Sequence, residues 1–165
     1  MSNVTVIIGL LLCLQEVDNP SYKSWSKFKV GTKLTIKMES EASGNKTSME
    51  ATYELKTVDE KSAEVAVKGK MTAMGNTIDM PERTEKYDAK QKKVDAPPSK
   101  AKIEEGDEEI EIAGRKIKCH WTKETTEQGT KRVWVSDEVP GRMVKSEADI
   151  SGAKTKMWIA ALETK

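Results

Sequence analysis

The 165-residue chain has one histidine, one phenylalanine and two cysteines. It holds no Cys-x-x-Cys, His-Glu-x-x-His, Walker or dinucleotide glycine motif, so metal and nucleotide chemistry have no handle. Any Ser-His-Asp or Cys-His arrangement has to pass through His120, whose immediate neighbour is Cys119. On a strand, successive side chains leave opposite faces, so this pair reads as a small core cysteine beside a solvent-side histidine. Carboxylate pairs such as Glu108-Glu109 and Asp137-Glu138 are expected in turns, where nothing raises a pKa by burial. The expectation is a protein that is not an enzyme and uses no cofactor or metal.

A charge excess of either sign is also lacking. Lysine and arginine number 28 against 27 acids, so no field gathers nucleic acid or an anionic bilayer. The runs Lys90-Gln91-Lys92-Lys93 and Glu104-Glu105-Gly106-Asp107-Glu108-Glu109 have opposite signs and flank a proline-rich stretch, which reads as a solvated connection. Apolar residues are only 36% of the chain and charged ones 33%, so a core has to come from sparse side chains placed regularly. A chain of this length is one domain in size and buries about two thirds of its unfolded surface on folding.

Only one long apolar run occurs, Val4 to Leu14. It is too short to span a bilayer as a helix, which takes about 20 residues, and it suits the apolar region of a secretory leader. Residues 1–18 are thus read as a leader and 19–165 as a single domain that is exported to the periplasm or cell exterior, with no integral membrane span. Met1-Ser2-Asn3 carries no basic residue and no small-x-small site precedes Gln15; a buried first strand is the alternative reading of the run. Cys13 follows Leu10-Leu11-Leu12, which makes it a candidate for lipidation and membrane anchoring, although a lipoprotein box has a small residue where Leu12 stands. Without Cys13, Cys119 is the sole thiol and no intramolecular disulfide is available.

Asn19-Pro20 pairs a cap residue with a proline suited to a first helical turn, and Tyr22, Trp25 and Phe28 follow at helical spacing. A short helix ending near Gly31 is expected to plug one side of a sheet. From Val30 the period becomes two: Val30, Thr32, Leu34, Ile36 and Met38 share one face, and Lys29, Lys33 and Lys37 the other. Met49, Ala51, Tyr53 and Leu55 continue that face on a second strand, and Ala63, Val65, Val67 to Met71 and Ala73 on a third, with turns at Ser43-Gly44-Asn45 and Gly75-Asn76. Residues 81–106 read as an edge strand followed by an exposed loop. Afterwards strands are expected through Ile110–Ile112, Ile117–Trp121, Val133–Val135, Met143–Ile150 and Met157–Ala161. The fold class is mainly β: a long-stranded antiparallel meander forming a curved sheet or half-barrel, with a short N-terminal helix.

The stretch Val133 to Glu147, a strand, a Pro-Gly turn and a second strand, resembles a hairpin of exported bacterial half-barrel proteins, of which the periplasmic lipoprotein-carrier group is best known. Together with Gly114 to Trp121 and Asn19-Pro20-Ser21-Tyr22, it also resembles other exported β-rich proteins of environmental bacteria. The resemblance covers about a fifth of the chain. It implies an incomplete antiparallel barrel whose concave side is apolar and, in the carrier group, receives acyl chains beneath a helical lid; here only Tyr22 to Phe28 supplies one.

Eight methionines are the unusual feature, spread over most strands. Methionine adapts to varied apolar partners and equally fills irregular core space, so a methionine-lined face suits either an acyl chain or self-packing. Trp134 lies opposite Val133 and Val135, at a binding mouth or over a second small core. The ligand-binding candidates are Met38, Tyr53, Met71, Trp121, Trp134 and Met157. The expected partner is a lipid or other apolar small molecule, with an envelope protein as a further candidate. The alternative function is a structural or protein-interaction module whose core is filled by its own side chains.

Overall fold

The computed structural model describes residues 16–93 and 101–165, so Val4–Leu14, Cys13, Pro97 and Pro98 lie outside the described residues. The described chain is predominantly antiparallel β. Its elements are β1 (Glu16–Asp18), α1 (Pro20–Trp25), β2 (Lys33–Ala42), β3 (Asn45–Val58), β4 (Ser62–Ala73), β5 (Asn76–Asp88), β6 (Lys90–Lys92), β7 (Lys102–Ile112), β8 (Arg115–Thr126), β9 (Gly129–Val135), β10 (Met143–Ile150) and β11 (Ala153–Glu163). Nine strands form one open sheet in the order β5-β4-β3-β2-β11-β10-β9-β8-β7, and β1 pairs with β6 in a separate ribbon. The expected single meander is in fact two meanders, β2 to β5 and β7 to β11, joined where β2 pairs with β11.

Two-residue turns set the register. In the β2–β3 hairpin Ala42 pairs with Asn45, and the intervening Ser43 and Gly44 have φ of 52° and 78°. Positive φ at both positions is the geometry that matches the right-handed twist of the flanking strands, and glycine accepts it without strain. Met74-Gly75, Ala113-Gly114 and Ser151-Gly152 repeat the same signs. The β4–β5 turn is therefore Met74-Gly75, one residue earlier than Gly75-Asn76.

Three further differences from the sequence reading are local. The helix is six residues long and stops at Trp25, because Ser26 already caps it through a bond from its backbone N–H to the Tyr22 carbonyl. Val30, expected at the start of a strand, lies in the following turn and is 51% exposed. The acidic run 104–109, expected in a connection, lies within the edge strand β7, so Glu108-Glu109 are strand residues; Asp137-Glu138 are in a turn as expected. Charges of one sign along an unpaired edge discourage pairing with other chains, and this accounts for a polar sequence adopting strand structure. Pro81 lies on the opposite edge strand, β5, where a register shift spaces Val67–Arg83 from Gly69–Met80.

Directly paired residues share a face, so the registers define two faces across the whole sheet. One carries the row Met157, Met38, Met49, Met71 and Ile78, from β11 through β2, β3 and β4 to β5. The other carries Gly106, Trp121, Trp134, Lys145, Trp158, Lys37, Glu50, Lys70 and Asp79, one residue from each strand. These are called the methionine face and the tryptophan face below.

The buried side changes along the sheet. In β2 to β4 the core residues Leu34, Ala51, Leu55, Ala63, Val65 and Val67 lie on the methionine face, with small Ala66 the exception. In β7 to β9 they lie on the tryptophan face, as Ile112, Ile117, Cys119 and Trp134. A twist of about 20–25° per strand accumulates to about 160–200° over nine strands, enough to turn one wing over relative to the other. The strands between the wings accordingly carry large apolar groups on both faces: Val144, Met157 and Ile159 on one, Trp158 on the other.

Helix α1 bridges the wings. The Asn19 side chain accepts from the backbone N–H groups of Ser21 and Tyr22, at 3.0 and 3.5 Å, and so caps the helix. The Tyr22 hydroxyl donates to the Asp59 carbonyl in the β3–β4 turn at 2.7 Å. Ser24 Oγ donates to the Val139 carbonyl in the β9–β10 loop. Trp25 is buried in the common core with Leu55, Val65 and Val139. Burying each such side chain stabilises the fold by about 1.5–3 kcal/mol.

Candidate functional site

The sheet has a helix end, where α1 closes over the core, and a hairpin end, where the β2–β3, β4–β5 and β10–β11 turns lie. Near the helix end the methionine face is filled by its own side chains; Leu55 and Val65 are fully buried. Toward the hairpin end this cover is lost. Met38, Met49 and Met157 are only partly buried, Met71 is 37% exposed and Ile78 59%. Ile36, Ile159, Ala51, Gly69 and Met80 form the next row toward the helix. The result is a continuous, half-open apolar strip across β11, β2, β3, β4 and β5.

The strip meets a polar group on β5. Tyr53, Val67 and Arg83 are directly paired across β3, β4 and β5. Arg83 donates through Nε and Nη2 to Glu85 Oε1, at 3.2 and 2.8 Å, and the Tyr87 hydroxyl donates to Glu85 Oε2. Burial tends to raise the Glu85 pKa, but the bonds from Tyr87 and Arg83 outweigh it and hold the carboxyl below its usual range. Burial pushes Tyr53 and Tyr87 upward, and the nearby Glu85 charge adds to this. The sequence reading picked out Tyr53 but not its charged neighbours, because Arg83 and Glu85 sit in a stretch whose prolines and charges suggested an exposed edge.

The six candidate residues do not converge. Met38, Tyr53, Met71 and Met157 lie on the methionine face, whereas Trp121 and Trp134 lie on the tryptophan face. Trp134 is buried, and its indole N–H donates to Glu108 Oε1. The Arg132 guanidinium carbon stands 4.0 Å from the Trp121 ring centre and 4.5 Å from that of Trp134, and Lys145 Nζ is 4.5 Å from the Trp134 ring. Trp134 thus lies in the common core with Trp25 and Val139, at neither a binding mouth nor a second small core. Met49 completes the methionine row, and its signal was present: it is the residue of β3 that an unslipped hairpin sets opposite Met38.

Cys119 and His120 take opposite faces, as alternation requires. Cys119 is buried, and that burial, with the Glu108 and Glu138 charges, raises its thiol pKa. His120 is exposed; its Nδ1 lies 2.9 Å from Asp107 Oδ1 and its Nε2 3.8 Å from Glu105. Among the described residues no group of three His, Cys, Asp or Glu side chains is placed to hold a metal ion. No described helix is long and apolar enough to cross a membrane.

No family model matches the chain, and no curated protein does. Among solved structures, a chain from Bacteroides fragilis NCTC 9343, described as a candidate exported protein with a YmcC-like fold, matches with a TM-score of 0.48 and 11% identity, over 83% of this chain and 97% of that one.

Proposed function

We propose that this protein is an exported, non-enzymatic binding protein that receives a long apolar ligand, such as an acyl chain, on the methionine face. The observation that carries the proposal is the paired row Met157, Met38, Met49 and Met71, which is partly open although its strands are central in the sheet. Five strands at about 4.8 Å spacing give a strip about 19 Å long, suited to an extended chain lying across them. Unbranched, polarisable methionines re-pack around partners of varied shape more readily than branched residues do. The apolar run Val4–Leu14 supports export. The non-enzymatic reading is supported by the separation of Cys119 from His120 and by the exposure of the sole histidine.

A second reading is an interaction module with a self-filled sheet. It is favoured by the complete burial of Leu55 and Val65 at the helix end and by the openness of the strip, which is a surface rather than an enclosed chamber. Native mass spectrometry of protein purified from its own envelope, with titration of a fluorescent fatty acid, separates the two. A co-purifying lipid, and weakening of the probe at least tenfold by Met38→Glu with Met49→Glu, is the expected result. Bare protein that ignores the fatty acid overturns the proposal in favour of the module.

A further inference from the structure

Two open clefts at the hairpin end are lined mostly by residues of the tryptophan face, although Met38 and Met49 of the strip border the smaller one. One, about 640 Å³, wraps the hairpin end; Glu39, Glu41, Glu147, Lys46, Lys154 and Lys156 supply its charged groups. A second, about 220 Å³, lies beside Trp158 and shares Glu39, Ser48 and Thr72 with the first, so the two form one groove. We propose that this groove is a binding site for a neutral, hydroxyl-rich oligosaccharide, with Trp158 as the platform for one sugar ring.

Three observations select this ligand class. The large cleft has no large apolar side chain in its wall, so an acyl chain would desolvate charged groups and gain little. The three carboxylates of the large cleft balance its three lysines, and Lys37, Lys70 and Glu50 of the smaller one leave the whole groove with a single positive charge in excess, too little to select a polyanionic ligand. Ser48 and Thr72, on the same face as the charged groups, add hydroxyls, which gives the wall both donors and acceptors, as hydroxyl-bearing rings require.

Trp158 supplies the remaining element. It is partly exposed and directly paired with Lys145 and Lys37 on the tryptophan face. Lys156 Nζ stands 5.5 Å from its ring centre, near the outer limit of a cation–π contact, so the lysine is loosely held there. Displacing it exposes a flat apolar surface for the C–H face of a sugar. Glu50, held below its usual pKa first by Lys37 and further by Lys70, stays ionised at the groove floor as a hydrogen-bond acceptor. By contrast Trp121 and Trp134 are engaged by Arg132, and Trp134 is buried.

Isothermal titration with cellotetraose, maltotetraose and the N-acetylglucosamine tetramer tests the proposal on the full chain. At least one is expected to bind with a Kd of about 10 μM to 1 mM. Trp158→Ala is expected to weaken it at least tenfold, and Trp158→Phe to retain most of the affinity. Trp121→Ala, outside the groove, is expected to leave it unchanged. Should Trp158→Ala fail to fold by circular dichroism, Glu39→Gln with Ser48→Ala serves in its place. No heat with any of the three at 5 mM, or equal affinity of the groove variant and the wild type, overturns the proposal.

Discussion

The indole of Trp121 occupies the space over Gly106, its directly paired partner on the edge strand β7: a Cβ on residue 106 would stand 2.7 Å from Cζ2 of that ring and 3.0 Å from its Nε1. The glycine is therefore a seat for the ring, which in turn carries the Arg132 guanidinium toward Trp134. Gly106→Ala has to displace the indole and is expected to destabilise the fold by about 1–3 kcal/mol. Urea unfolding followed by tryptophan fluorescence measures the loss. An unchanged midpoint and emission maximum would mean that the ring moves freely.

Two glycines with positive φ are expected to respond very differently to alanine. Gly129 has φ of 142°, and a Cβ there would lie 1.9 Å from the Asp149 carbonyl oxygen, a backbone atom that cannot step aside. Gly129→Ala is expected to cost about 3 kcal/mol or more. Gly44, with φ of 78°, faces open space, so Gly44→Ala is expected to cost only about 1 kcal/mol from backbone strain. Thermal melts of the two variants side by side check the ranking.

Cys119 is expected to be inert. Its side chain is buried, and its pKa is raised by that burial and by the Glu108 and Glu138 charges, so thiolate is scarce at neutral pH. In a Cys13→Ser background, Ellman's reagent at pH 8 should react with the native protein only as fast as it unfolds and at once in 6 M guanidinium. Rapid native reaction would place the thiol at the surface.

The Tyr53–Arg83–Glu85–Tyr87 group limits stability at both ends of the pH scale. Glu85 has a folded pKa below its unfolded value, so its contribution is complete above about pH 5 and is lost as pH falls through the folded pKa. Tyr53 and Tyr87 have folded values above about 10, so theirs is complete below that pH and is lost as pH rises through the folded values. Urea midpoints between pH 2.5 and 11 should show Glu85→Gln flattening the acid limb and Tyr87→Phe the alkaline one. Parallel curves for wild type and variants would show that the group carries no pH dependence.

Much of the fold was legible because period-two alternation and X-Gly turns are local signals. Leu34, Ile36 and Met38, and the Ser43-Gly44 turn after them, specify a hairpin without reference to the rest of the chain. The β2–β11 pairing was not legible, since nothing in either strand says which distant edge it meets. Alternation also shows that two sets of residues alternate, and not which set is inside; the accumulated twist decides that. On size and chemistry Trp121 and Trp134 therefore group with Met38 and Tyr53, while registers across the whole sheet put them on opposite faces. Charge misled in one place, because the acidic run of β7 reads as solvated and is solvated, yet it is extended and paired on one side.

The junction of β2 with β11 has a consequence for how the molecule assembles. Ile36 and Ile159 meet only after a stretch of about 120 residues has been brought round, a closure that local hairpins never face. As the chain leaves the ribosome, β2 to β5 can zip together early and then wait with the flank of β2 unpaired until its distant mate emerges. A truncation that removes β11 would leave that flank permanently available to other molecules, and aggregation from the interior of the sheet, rather than from its charged rims, is the failure to expect.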